Sequence, residues 1–264
     1  KGDSVKKGQP IYFDKQNPDV MYTSFLPGIV DNIVYGKKRI IESVDISVDS
    51  TIGSISYPKY KINEIKNLNK EKIKKILCTS GTWQFIRKKP YSKIPDPDNI
   101  PNSIFITTSS TEPYAPSLKV ILENINFEYL QAGVGALSHF VDGSINMVCP
   151  QNFTSNKLQS LIGVDFHTFS GPHPSGNVGY HISNISPIKD RDYSVWYISL
   201  YDISIIGELL LTGCLNDRKI ITVGGMSGLE YNKHYLISRG MLINDIILLN
   251  DDKYKNRVIS GSVL

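Results

Sequence analysis

A chain of 264 residues exceeds a mean domain length and can bury a proper core. At 41% hydrophobic and 20% charged it reads as globular, which excludes a disordered tail. A net charge of +4 is too mild to argue for nucleic acid, yet it suits a protein lying against an anionic membrane face.

Residues 1–50 read as all-β. Turns fall at Gly2-Asp3 and Lys7-Gly8, and the run after them alternates Ile11 and Phe13 inward. Strands break at Pro27-Gly28 and Tyr35-Gly36, and Val44, Ile46 and Val48 keep period two. The "GD.V..GQ" and "P..G.V" phrasing resembles the barrel-sandwich fold of biotinyl and lipoyl carriers. Those carriers present a modified lysine at a hairpin tip. The tip expected here, "FLPGIV", has none, so the fold is expected without the carrier role. A lysine-rich bridge, "YPKYKINEIKNLNKEKIKKIL", follows. Asn69 is its expected N-cap, Ile73, Ile76 and Leu77 give a helical apolar stripe, and the charge run reads as a solvated face.

From about Ile104 the pattern becomes α/β. "SIFITT", "INMVCP" and "VDFHTFSG" read as strands, "SLKVILENI" and "FEYLQAGVGALSHFV" as helices. Alternation of this kind predicts a parallel sheet with right-handed crossovers, whose ligands sit beyond the carboxyl ends of the strands. "TTSSTEPYAP" and "SGPHPSGNVGYHI" both leave strands at that edge. The remainder reads as α+β: "YSVWYISL" a strand, "DISIIGELLLTG" a short helix ending at Gly213, "KIITVGG" a strand, "HYLISRGMLINDII" a strand running into a helix, and "ISGSVL" a last strand. No apolar run is long enough to cross a bilayer. The chain starts at "KGDSVKKG" and stops at "RVISGSVL" in mid-pattern, as a fragment cut at both ends would.

Three scattered cysteines, Cys78, Cys149 and Cys214, form no CxxC pair. They favour a reducing compartment, each as a buried small apolar residue. A flavin or dinucleotide loop needs glycines after a strand and at a helix start. "CTSGTWQFIRKKPYSKIP" offers only Gly81, with Trp83 and Phe85 filling the space a cofactor needs. "GVGAL" lies inside a helical pattern, and "VGGMSG" has no following helix signal. His167, His173 and His181 are close in sequence. However, His167 sits on a strand, and the other two sit on a Pro/Gly loop without helical spacing, which makes metal binding the minority reading. No GxSxG elbow is present, and a capped turn explains Ser109, Ser110 and Glu112 better than a triad does.

The phrases "GDSVKKGQPIYFDKQNPDVMYTS", "GKKRIIESV", "SGTWQFIRKKPYSKIP", "GPHPSGNVGYHI", "VWYISLYDISIIGELLLTG" and "RVISGSVL" closely resemble, in order, the A-subunit family of the sodium-translocating NADH:quinone reductase. The resemblance implies four segments: a barrel-sandwich hybrid over 1–50, a Rossmann-like domain over 51–208, a β-grasp domain of the soluble-ligand-binding type over 209–257, and the start of a C-terminal region over 258–264. The Rossmann-like part is similar in plan to the flavin-binding component of respiratory complex I. "SGTWQFIRKKPYSK" stands where that relative has its flavin loop, so the resemblance implies a relic fold with no flavin. The family's His-x-His is reduced here to His181, with Ser183 in the second place.

On this reading the loop of residues 169–182 is architectural. Gly171, Gly176 and Gly179 allow backbone conformations closed to other residues, and Pro172 and Pro174 stiffen it. The resemblance implies a peripheral subunit on the cytoplasmic face of a bacterial inner membrane, with no catalytic, cofactor or metal residues of its own. NADH, ubiquinone, flavins and iron centres would be handled by other subunits. Candidate partner or quinone contacts are Gly171, Pro172, His173, Gly176, Gly179 and His181, with Arg87, Lys88, Lys89 and Lys93. The basic group reads equally as a solvated helix end. Three functions compete: a non-redox structural subunit, a quinone-binding subunit, and a soluble flavoenzyme, against which the missing loop counts. An apolar pocket beside the loops would favour quinone.

Overall fold

The computed structural model describes residues 1–153, 155–190, 192–225, 233–246 and 257–261. Its first part is all-β. Strands β1 (Ser4–Val5), β4 (Gly28–Tyr35) and β5 (Ile41–Val48) form an antiparallel sheet in the order β1-β4-β5, and β2 (Pro10–Phe13) pairs with β3 (Met21–Thr23) as a separate ribbon. The Pro27-Gly28 turn carries the chain from one sheet to the other, so "FLPGIV" is not a hairpin tip. The tip of the β4–β5 hairpin is residues 36–40, "GKKRI", closed by a Gly36 N–H bond to the Ile40 carbonyl of 2.8 Å. Val44 and Ile46 are half-buried as expected, while Phe13 points to solvent rather than inward.

Helices α1 (Ile62–Ile65) and α2 (Lys70–Thr79) cross to the second part. Asn69 caps α2 by accepting from the Glu71 N–H at 2.7 Å, and Ile73, Ile76 and Leu77 are buried. The chain then forms β6 (Arg87–Lys89), β7 (Ser103–Thr107), α3 (Leu118–Glu123), α4 (Phe127–Leu137), β8 (Ser144–Pro150), α5 (Asn156–Gln159), β9 (Asp165–Phe169), α6 (Val178–Ile185), β10 (Val195–Ser199) and α7 (Leu200–Thr212). One five-stranded sheet results, in the order β6-β10-β7-β8-β9, parallel except for the edge strand β6.

Strands buried on both faces need apolar residues throughout, as "SIFIT" and "SINMVCP" supply. Leu77, Leu130, Leu137, Ile203 and Leu210 pack on one face, and Ile182 of α6 meets Phe105, Val148 and Val195 on the other. Helices α4 and α7 touch backbone to backbone. A Cβ at Gly133 would collide with the Ile203 carbonyl, and one at Gly207 with the Tyr129 carbonyl, so "GVGAL" is a helix-packing signal. Trp83 is fully buried, edge-on to Phe140 at 5.1 Å and to Trp196 at 5.6 Å.

Helix α7 continues to Gly213, whose φ of +70° ends it, and crosses the boundary expected at 209; Leu209 and Leu210 lie in the α/β core. A two-stranded ribbon follows, β11 (Arg218–Thr222) with β12 (His234–Ser238), then α8 (Ile243–Ile246). The end of "VGGMSG" and the end of "ISGSVL" lie outside the described residues, and 259–261 carries no strand. Burial pushes the Cys78 and Cys149 thiols up to about 12 and about 11, as suits inert core residues; Cys214 is exposed, against expectation. Among the described residues no helix is long and apolar enough to cross a membrane.

Candidate functional site

From β7 the chain steps to β8 and β9 on one side, then returns to place β10 on the other side of β7. Crossovers leave adjacent strands in opposite directions at such a point, which opens a crevice at their carboxyl ends. A cavity of about 360 Å³ occupies it. Thr107, Thr108, Ser109 and Ser110 line it after β7, Ser199 to Asp202 after β10, and Gly176, Asn177 and Val178 at the start of α6. Ala115, Pro116 and Ile121 add apolar wall, and Lys219 and Ile220 of β11 close one side.

Most polar groups around this cavity already have internal partners. The Thr108 hydroxyl donates to the Val148 carbonyl at 2.8 Å. Ser199 caps α7: its Oγ accepts from the Asp202 N–H at 3.1 Å and donates to Asp202 Oδ2 at 2.7 Å. Asp202 Oδ1 is paired with Arg239, whose guanidinium lies 4.4 Å from the Phe85 ring centre. The positive end of the α7 dipole therefore faces a carboxylate of the same chain. Burial raises the Tyr201 phenol above its ordinary range.

The glycine-rich run forms the second wall. Gly171 has φ +117°, and its carbonyl accepts from Ser175 Oγ at 2.8 Å. The Gly176 N–H donates to Thr111 Oγ1 at 3.1 Å, and that hydroxyl is 3.1 Å from His173 Nδ1. A Cβ at Gly176 would strike the Thr111 backbone, so this glycine is required by close approach rather than by its φ. Gly179 departs from expectation: it is exposed within α6, with open space where a Cβ would be.

His181 also differs, lying on α6 and not on the loop. It is buried, 2.8 Å from the Ser175 carbonyl through Nε2 and 4.8 Å from the Phe169 ring. Burial holds its pKa below the ordinary histidine value, with the Ser175 bond opposing only in part. His167 sits on β9 as expected, 2.9 Å from Asn146 Oδ1. Among the described residues no three His, Cys, Asp or Glu are grouped to hold a metal.

Of the candidates, Gly176 lines the cavity; Gly171, Pro172, His173, Gly179 and His181 do not. Arg87, Lys88 and Lys89 form the edge strand β6 and not a helix end, and the Lys88 N–H donates to the Lys93 carbonyl at 2.7 Å. Lys89 Nζ lies 5.3 Å over the Tyr197 ring. "CTSGTWQF" follows helix α2 and not a strand, which is the wrong context for a phosphate loop. The strand-end rule points to the sheet edge that holds Tyr201 and Asp202 but not to their identities, and it gives no sign of Lys219, which comes from the separate β11–β12 ribbon.

Residues 68–215 match the family model described as the NqrA second alpha/beta domain, and residues 1–49 match the NqrA N-terminal barrel-sandwich hybrid domain. The chain belongs to the NqrA family. It is 33% identical over 263 residues to the A-subunit of the Na(+)-translocating NADH-quinone reductase of Tolumonas auensis, 35% over 265 residues to that of a Marinomonas species, and 34% over 266 residues to that of Pasteurella multocida. Each match takes in 100% of this chain and 58% of the relative, so the chain spans somewhat over half the length of these NqrA proteins. Within the NqrA scheme the cavity belongs to the second domain, with only Lys219 and Ile220 lying beyond its matched residues.

Proposed function

We propose that this chain acts as a peripheral, non-redox subunit of a sodium-translocating NADH:quinone reductase, at the cytoplasmic face of a bacterial inner membrane. Its α/β domain is read as Rossmann-like and the part from 209 to 257 as a β-grasp domain of the soluble-ligand-binding type. Flavins and iron centres, and with them NADH oxidation, belong on other subunits, and this chain contributes contacts to the membrane subunits. The observation that carries this reading is the start of α7. At the switch point, where a Rossmann-type domain presents free N–H groups to a cofactor phosphate, Ser199 caps the helix and Asp202 presents a carboxylate held by Arg239. A phosphate there would have to compete with Asp202 for the first turn of α7. Co-expression with the membrane subunits tests the reading: the chain should co-purify with them and, isolated, should be colourless. A stoichiometric flavin released on denaturation would overturn it.

The cavity favours one second reading, a quinone site. Ala115, Pro116, Ile121, Leu200 and Ile220 offer an apolar wall, and the Thr107 and Ser110 hydroxyls lie at its polar side. A ubiquinone analogue should then quench the fluorescence of Trp196, which lies on β10 shortly before Ser199 enters the cavity wall. A115F, which narrows the cavity without adding a tryptophan, should weaken the titration. A quench that A115F leaves unchanged would argue for a quinone site elsewhere.

A further inference from the structure

We propose that the tip of the β4–β5 hairpin is a docking tooth for an anionic lipid surface. The hairpin is held by β1 only at its base, where Ser4 pairs with Ile29 and Val5 with Gly28. Beyond Val30 it is two-stranded and carries its tip away from the sheet by about 17 Å, at the usual rise for five residues. At the tip Lys37, Lys38 and Arg39 are all exposed, and they are flanked by Tyr35 at 57%, Ile40 at 65% and Ile41 at 41% exposure. Large apolar side chains this open leave apolar surface in water that burial in an apolar phase would recover.

The charge is sorted along the hairpin. Asp31 and Asp45 lie down the stalk, where Ser47 and Ser43 bond them. Of the hairpin's own carboxylates only Glu42 comes near the tip, turned onto Gly36. Cations beside an amphipathic aromatic ring and aliphatic side chains match the two layers of a membrane surface: headgroup phosphates outside, acyl chains just beneath. The alternative occupant is an acidic protein. A narrow two-stranded tip offers it far less than the roughly 800 Å² per partner of a stable protein interface, whereas each side chain entering a bilayer contributes separately. The inference rests on the peripheral placement proposed above and specifies one of its contacts.

The chain's two tryptophans, Trp83 and Trp196, are both fully buried, so I40W adds a single exposed reporter. With the full-length chain, phosphatidylglycerol vesicles should shift the I40W emission to the blue, and phosphatidylcholine vesicles should not. Salt should weaken the effect. K37E/K38E/R39E in the same background should bind at least about tenfold more weakly, given a several-fold contribution from each cation near an anionic surface. The changed residues are solvent-exposed, and circular dichroism will show the fold retained. Emission indifferent to anionic vesicles, or equal binding by the triple variant, overturns the proposal. So does a shift that appears only when detergent-solubilised membrane subunits are added, which would assign the tip to an acidic protein. Should the triple variant still co-purify with those subunits while vesicle binding is absent in both forms, only the lipid contact falls and the peripheral role stands.

Discussion

Replacing Gly207 by alanine adds one methyl group to the middle of α7, directly against the Tyr129 carbonyl and beside the Gly133 N–H. Both obstacles are backbone of α4, so no side-chain rotation relieves the overlap and the two helices must separate. Overpacking of this kind costs about 1–3 kcal/mol, and a backbone obstacle puts it toward the upper end. Against that, alanine improves helix propensity by up to about 1 kcal/mol. The net expectation is a loss of about 2 kcal/mol, or a Tm lower by about 4–8 °C for a unit of this size. The control is the same substitution at Gly179, helical and open, where only the propensity gain of up to about 1 kcal/mol remains. Urea unfolding followed by circular dichroism and tryptophan emission should place G207A below, and G179A at or above, the parent midpoint. A G207A protein as stable as the parent would refute the backbone-contact argument.

His181 is kept neutral by burial, so its folded pKa lies below its unfolded one. Stability is unaffected above about pH 6.5 and falls as pH drops below it, because the unfolded state then binds more protons. Chemical unfolding from pH 8 to pH 5 should show this slope, and H181N should flatten it. G176V should destabilise the loop against Thr111, while H173A should leave fold and assembly nearly intact, both read by thermal melts. Reversing Arg87, Lys88 and Lys89 should reduce co-purification with the membrane subunits at low salt, whereas the parent complex should weaken only as salt is raised. Loss of the Lys89–Tyr197 contact should add a stability cost of about 0.5–1 kcal/mol, visible in the isolated chain's melt.

The strongly periodic elements were legible in the sequence. Asn69 with Ile73, Ile76 and Leu77 defined α2, the apolar strands defined the parallel sheet, and Gly213 marked the end of α7. Local chemistry dominates at each of those places. The misread places are ones where tertiary partners decide. Pro27-Gly28 signals a reversal, but which strands pair across it is set by the whole sheet. Helix α6 lay hidden because glycines and prolines immediately before it read as loop, although Val178, Ile182 and Ile185 already had helical spacing. Gly176 and Gly207 could be singled out as glycines, but the reason for each is a neighbour's backbone 65 or more positions away, which no local pattern reports. The cavity follows from the strand order alone, and that order becomes visible only once β10 is seen beside β7.

Asp202 at the head of α7 has a further consequence, one of mass action. A nucleotide-binding domain left empty has uncompensated N–H groups at its phosphate site, and its stability rises and falls with ligand concentration. Here the anion is part of the chain, present at one per molecule and tethered by Arg239 through the ribbon that follows. The domain thus carries its own counter-ion at an effective concentration that does not vary with the supply of free metabolite. Its melting temperature should be the same in phosphate-free buffer and in buffer rich in nucleotides, whatever the supply of cofactor in the cell.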